Sequence, residues 1–403
     1  MAPLYFDANA SCPTCPEADA AMRRAAAVVG NPASSNAAGA AARDILEAAR
    51  AQVARVVGVA PECVVFTSGA TEANNTVLRG AIDRWRREHP GQKPRAVTTA
   101  IEHSAVLEPL RAAEARGDVD LVIVPVDRLG RVDPEAVVHA ASVAPTAIVS
   151  VQHANNEIGT MQPVEAIARM LPQDVLFHCD AAQSFGRMEL GPVGVLTTSA
   201  HKLGGPGGVG AMVIPPHCAG RFDPLLLGGT HEGSRRAGTP NFVGAAGFGA
   251  ACEAMARRWP LGLGYDAGAR RRVRSMRDFL LACLRRELGD EFVVVNGALD
   301  DPGSPLSTAR LPHNLNVTFR GVCPASLHNA LKPSISVSAA AACRSMGGSP
   351  SHVLQAIGAP DDGAAVRFGF LPEHDEACVA FVCRTVSQAV RNLFGQGCAI
   401  PQR

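Results

Sequence analysis

Apolar residues in this chain come in two rhythms that alternate from residue 36 to about residue 214. The first is a helical stripe. Between Asn36 and Val57, Ile45, Leu46, Ala49, Val53, Val56 and Val57 recur at helical spacing, and Gly58 ends the run. The second is a short continuous apolar run: Val64–Thr67, Ala96–Ala100, Val119–Val126, Ala147–Gln152, Val175–Asp180, Val195–Ser199 and Gly210–Ile214. Helices are predicted at Glu72–Arg87 and Ser104–Arg116 between them. Repeated βα units with unbroken apolar strands predict a mostly parallel mixed sheet with helices on both faces, an α/β fold. After residue 258 the rhythm changes. Trp259–Gly264 reads as a hinge, Asp266–Leu288 as a basic helix, Phe292–Val295 and Leu315–Phe319 as strands, and Ser326–Leu331, Ser351–Ile357 and His374–Phe394 as helices. This predicts a large domain over residues 13–258 and a smaller α+β domain over 259–403.

Composition narrows the class. With 47% apolar and 19% charged residues in 403, the chain is globular and long enough for two cores. A net charge of +1 gives no reason to expect a nucleic-acid or membrane-surface partner. No apolar run approaches the ~20 residues of a membrane helix, so a cytoplasmic protein is expected. Its twelve cysteines are then mostly reduced core residues. Cys12-Pro13-Thr14-Cys15 has redox-motif spacing but sits in a proline-rich turn with no second pair, so it reads as a loop pair and no metal is expected.

The chemistry concentrates at strand ends. Lys202 lies between the strand ending at Ser199 and the glycine-rich Gly204–Gly210. A lysine there can be desolvated. Its pKa falls and the free amine becomes a nucleophile toward carbonyls, as for a lysine that holds pyridoxal phosphate. Such a cofactor needs a carboxylate for its pyridine nitrogen and a phosphate cradle. Asp180, at the end of an apolar strand, supplies the first. Ser68-Gly69-Ala70-Thr71-Glu72, a glycine turn opening a helix, supplies the second through backbone amides. Strand C-terminal ends are where ligands bind in open α/β sheets.

A resemblance then covers the chain from residue 4 to about 370. It is carried, in order, by Leu4–Ala10, Gly30–Ser34, Phe66–Glu72, Glu102–Ser104, Asn155–Gly159, His178–Gln183, Ser199–Lys202, Arg236–Thr239 and Ala341–Ser345. The chain resembles the cysteine desulfurases and selenocysteine lyases of the class V aminotransferase superfamily, fold-type I pyridoxal phosphate enzymes. The resemblance implies that residues 1–12 join the small domain. It implies that His103 stacks on the pyridine ring and shuttles protons, and that Gln183 donates to the cofactor's phenolic oxygen. It places Asn156 beside cofactor and substrate, and Ala70, Thr71, Ser199 and His201 at the phosphate. Thr239 would reach the phosphate from the other subunit of a homodimer, and Asn9 would lie near the substrate. Arg367, a charge inside the apolar strand Ala365–Gly369, suits an amino-acid carboxylate, with an internal ion pair as the alternative. Cys343, in a small-residue loop beside Arg344, aligns with the catalytic cysteine, and its gap to Arg367 suits the long-loop group I enzymes.

Three positions depart from the pattern. Gly207-Gly208 stand where a basic residue is common, Ala341-Ala342 precede Cys343 where glycine and serine are common, and the chain ends soon after its last helix, away from the pattern of enzymes that dock an iron–sulfur scaffold. Ser104 follows His103 where selenocysteine lyases carry an acid, which favours cysteine. The expected function is therefore a PLP-dependent cysteine desulfurase that takes L-cysteine to L-alanine and a persulfide on Cys343, with a sulfur-acceptor protein downstream. Selenocysteine lyase, acting on L-selenocysteine, is the alternative. A transaminase would need no Cys343, and an idle sulfur-transfer scaffold would have no use for the intact Lys202, Asp180, His103 and Cys343.

Overall fold

The computed structural model describes residues 2–191, 193–258, 268–300, 309–339 and 351–394. In chain order these form β1 (Leu4–Tyr5), α1 (Pro16–Ala26), α2 (Ala37–Val56), β2 (Val64–Thr67), α3 (Ala70–Glu88), β3 (Arg95–Thr99), α4 (Ser104–Ala115), β4 (Asp120–Val124), α5 (Pro134–Ser142), β5 (Thr146–Ser150), α6 (Val164–Met170), β6 (Leu176–Asp180), β7 (Val195–Ser199), β8 (Gly210–Val213), α7 (Phe242–Arg258), α8 (Gly268–Leu288), β9 (Val293–Val295), β10 (Asn314–Arg320), α9 (Pro324–Leu331), β11 (Ile335–Ser336), β12 (Ser338–Ala339), α10 (His352–Ala356), β13 (Gly363–Gly369) and α11 (Glu376–Leu393).

The larger sheet has strand order β2-β8-β7-β6-β5-β3-β4. Its pairings are parallel except those of β8, which runs antiparallel to both neighbours. Except for the edge strand β4, the strands are buried on both faces, and their residues alternate between two cores. Val65, Ile148, Leu176, Val195 and Met212 pack on one face with α3 and α4. Phe66, Val149, Phe177, Leu196 and Ala211 pack on the other with α2 and α7. The result is the three-layer α/β architecture that continuous apolar strands predict.

Helix α7 carries little apolar periodicity, and the sequence reading leaves it unassigned. Its glycines explain both facts. A Cβ at Gly249 would fall 2.8 Å from Ala49 Cα of α2, so α7 packs backbone-close and gives up the helix propensity that marks ordinary helices. Helix α1 was also unassigned.

The second sheet has order β12-β13-β10-β9 and is antiparallel. β1 pairs in parallel with β11, and Asp7 bridges to Gly369. The first residues are therefore built into the C-terminal unit before the chain crosses to Lys202. The Trp259–Gly264 hinge, Cys343 and Arg344 lie outside the described residues.

One packing constraint links this fold to the site. Gly210, at the start of β8, backs directly on Gly69, and a Cβ there would fall 2.4 Å from Thr198 O and 2.7 Å from Gly69 Cα. Backbone cannot yield as a side chain does. Gly210→Ala is expected to cost about 1–3 kcal/mol in urea unfolding and to push the Gly69 turn away from β7. Gly207→Ala, where a Cβ meets nothing within 4 Å, serves as the neutral control.

Candidate active site

The C-terminal ends of β2, β3, β5, β6 and β7 converge with the N-terminal segment on Lys202. That residue closes a 3-10 turn (Ala200–Lys202) after β7. Its Nζ donates to Asn9 O at 2.8 Å and Ala10 O at 2.9 Å and makes no ion pair among the described residues. Burial, followed by the nearby Arg367 guanidinium, pushes the amine from the ordinary 10.5 down to about 8. The Lys202 carbonyl accepts from Arg187 Nη2 at 2.7 Å and lies 3.2 Å from Cys12 Sγ, and Cys12 N–H donates to His201 O. The chain contains three lysines, and Lys93 and Lys332 are exposed.

Asp180 ends β6, 7% exposed. Oδ1 accepts from Ala182 N at 2.9 Å and Oδ2 from Asn74 Nδ2 at 2.7 Å. Asn74 Oδ1 in turn accepts from the Thr197 hydroxyl. Asn74 was not foreseen as a site residue, although a signal for it exists. It is a polar residue on the helix face that also carries Ala73, Val77 and Leu78, all buried. His178, two residues before Asp180, is buried between Ser150 Oγ at 2.8 Å and Thr197 Oγ1 at 3.1 Å, and burial pushes its imidazole down to about 4.

Gln183 and Asn9 hold each other. Asn9 Nδ2 donates to Gln183 Oε1 at 3.1 Å, and Gln183 Nε2 donates to Asn9 O at 3.0 Å. Asn9 is fully buried, and its Oδ1 has no partner among the described residues. Arg367, in β13, is engaged on three sides. Nη2 donates to Asp7 Oδ1 at 2.8 Å and to Ser338 Oγ at 2.7 Å, Nη1 donates to Asn156 O at 3.0 Å, and Nε is buried without a partner among the described residues. The internal ion pair therefore exists. It holds the guanidinium beside Asn156, which is half-buried, and leaves a donor free.

His103 caps α4 and is exposed. Its Nδ1 accepts from Ala105 N at 3.1 Å, so any proton on the neutral ring sits on Nε2. Beneath it, Glu102 is fully buried, takes both Oε atoms to Gln152 N at 3.0 Å, and is pushed by burial up to about 8. The 101–103 turn is tied to the Asn156 turn through Asn155 Nδ2 to Ile101 O at 2.9 Å.

The cradle expected at the start of α3 has suitable geometry. Gly69 precedes the helix with φ 156°, and no side chain caps the helix start. That leaves N–H groups of Ala70 and Thr71 open to an anion. Ser199 Oγ lies 3.6 Å from the position a Gly69 Cβ would take. His201 is half-buried and holds Ser11 Oγ through Nδ1 at 3.2 Å. Thr239 is exposed, in the loop that Arg236 fastens to Glu72 of α3 at 2.8 Å.

These parts fit pyridoxal phosphate on their own chemistry. An amine without a carboxylate partner, a carboxylate supported on both oxygens, an uncapped helix start and the orphaned Asn9 Oδ1 are the donor set the cofactor would need. The fold and this lysine define an enzyme of the fold-type I group. The chain belongs to the aminotransferase class-V family, whose model matches residues 4–380, and members of that family use pyridoxal phosphate in general. It is 38% identical over 400 residues to a protein named cysteine desulfurase IscS from Anaeromyxobacter sp. (strain Fw109-5), covering 97% of this chain and 93% of that one. It is 36% identical over 376 residues to the mitochondrial cysteine desulfurase of Arabidopsis thaliana, covering 91% and 78%. Among solved structures, a NifS-like protein superposes with a TM-score of 0.84 at 29% identity, covering 98% of this chain and all of that one. A structure of SspA in complex with cysteine superposes at 0.73 with 26% identity, covering 92% and 99%.

The Asn74 bridge generates a stability test. Asn74→Ala strands Asp180 Oδ2 in a buried site and leaves the Thr197 hydroxyl to His178 alone, at an expected cost of about 1–3 kcal/mol. Asn75→Ala, which loses only a bond to Thr71 O near the surface, should cost far less in the same denaturation experiment.

Proposed function

We propose that the chain is a pyridoxal phosphate-dependent cysteine desulfurase that converts L-cysteine to L-alanine and leaves the sulfur as a persulfide on Cys343. The observation that carries this reading is Lys202, a half-buried amine with no carboxylate partner among the described residues at the end of β7, in a chain whose relatives are named cysteine desulfurases. The bound cofactor supplies a carbonyl and an electron sink for the substrate's Cα–H electrons.

The chain's own residues do the rest. Asp180, held by Asn74 and Ala182 N, is the carboxylate that would hold a proton on a pyridine nitrogen. Ala70, Thr71, Ser199 and His201 are placed to hold a phosphate. At neutral pH a small fraction of Lys202 is already neutral, because its pKa is about 8, and Nζ can then take up and return a proton. His103 offers a second proton carrier at Nε2. Arg367, steadied by Asp7, has Nε to orient the substrate carboxylate next to Asn156 and Asn9. Cys343 is the nucleophile. Its thiolate attacks the substrate sulfur, the S–S bond forms as the Cβ–S bond breaks, and Cβ is protonated to give alanine. The exposed Thr239 is the residue we expect to reach the phosphate of a partner subunit in a homodimer.

The test offers L-cysteine and L-selenocysteine in parallel and measures alanine, sulfide, selenide and protein-bound persulfide. The parent should make alanine from cysteine and carry one persulfide. Cys343→Ser should lose at least about 100-fold in alanine from cysteine and carry no persulfide, yet still bind pyridoxal phosphate. It should lose less with selenocysteine, whose selenium leaves carbon more readily. Parental desulfuration by Cys343→Ser would remove Cys343 as the nucleophile.

A further inference from the structure

The start of α3 contains an electrostatic conflict. Glu72 is the third residue of the helix whose first N–H groups form the cradle. A carboxylate there is ordinarily favourable to the helix. At a site meant for a phosphate dianion it becomes a competing anion, drawn to the same amides and repelling the ligand.

The structure shows how the carboxylate is held. Its Oε2 accepts from Ser68 N at 2.8 Å, which draws it back along the turn. Arg236 grips both oxygens, Nε to Oε1 at 2.8 Å and Nη2 to Oε2 at 3.2 Å. The two side chains are 21% and 12% exposed, enough removed from water for their charges to matter to each other. Nor is Arg236 on a free surface loop. Four residues earlier Glu232 is buried, pairs with Arg50 Nη1 and Nη2 at 2.7 and 2.8 Å, and accepts from Phe66 N at 2.9 Å. The loop is thus clamped at two points to the β2–turn–α3 unit, on either side of Gly69. It holds this clamp through a backbone that turns left-handed at Glu232 and Ser234, a conformation that costs free energy in non-glycine residues.

We propose that Arg236 is a positioning residue for the phosphate cradle: by pairing with Glu72 it cancels the carboxylate's charge and makes the start of α3 accept a phosphate dianion. Arg236 need not touch the phosphate. The proposal rests on the reading of this turn as the cofactor's phosphate site.

The test compares two ligands that differ only in the phosphate. The full-length chain, freed of cofactor by hydroxylamine and dialysis, is titrated with pyridoxal phosphate and with pyridoxal, followed by absorbance. In the parent, pyridoxal phosphate should bind much more tightly. Arg236→Gln should cut that preference by about tenfold or more while leaving pyridoxal affinity within about twofold. Glu72→Gln should keep the preference. The double variant Arg236→Gln/Glu72→Gln should recover it to within about threefold of the parent, because the unpaired charge is gone. A loss of fold would weaken both ligands together. If Arg236→Gln fails to fold, the double variant still decides, since it must retain the preference. An unchanged preference in Arg236→Gln, or a double variant as poor as a folded Arg236→Gln, overturns the proposal while leaving the cradle reading intact. A parent with no preference for the phosphate form overturns the cradle reading and this proposal with it.

Discussion

A half-buried amine with no carboxylate to pair with among the described residues must find other acceptors, and the rest of this structure is arranged around that need. Lys202 Nζ takes the carbonyls of Asn9 and Ala10, more than 190 residues away in sequence. For those carbonyls to be there, the first dozen residues must leave the C-terminal unit and cross the mouth of the larger sheet. They do so with Asp7 fixed to Arg367 and Ser338 behind them and Cys12 N–H on His201 O ahead. The amine, Arg367 and the C-terminal unit are thus one connected object.

The buried titratable groups around it are each held by neutral hydrogen-bonding partners. Asp180 is supported by an amide and a backbone N–H, His178 by two hydroxyls, and Glu102 by Gln152 N and the Thr99 hydroxyl. Fixed dipoles of this kind orient a group without neutralising it. Asp180 ends β6 and Glu102 lies just past β3, at the C-terminal edge where open α/β sheets bind ligands.

Much of this is legible along the chain. The strands of the larger sheet are unbroken apolar runs, so their ends, and with them Asp180, Ser199 and Lys202, can be found by inspection. Asn74 was missed but is visible as a polar residue on a buried helix face. What stays hidden is long-range or non-periodic. Asp7 and Arg367 are 360 positions apart, and no local pattern joins them. Helix α7 hides behind its own glycines. Glu72 looks like an ordinary helix-start acid until Arg236, 164 residues later, is seen to hold it. Cys343 owes its assignment to the family resemblance and to chemistry alone.

The central claim is that burial, not a partner, sets the Lys202 amine. It is tested most directly by the pH dependence of acetylation at each of the three lysines, read by peptide mass spectrometry on the hydroxylamine-treated chain. A lowered pKa means that the neutral, reactive amine appears as pH rises through the folded value. Lys202 should therefore show its inflection at about 8, well below the value ordinary for a lysine amine. A Lys202 inflection at that ordinary value would contradict the account.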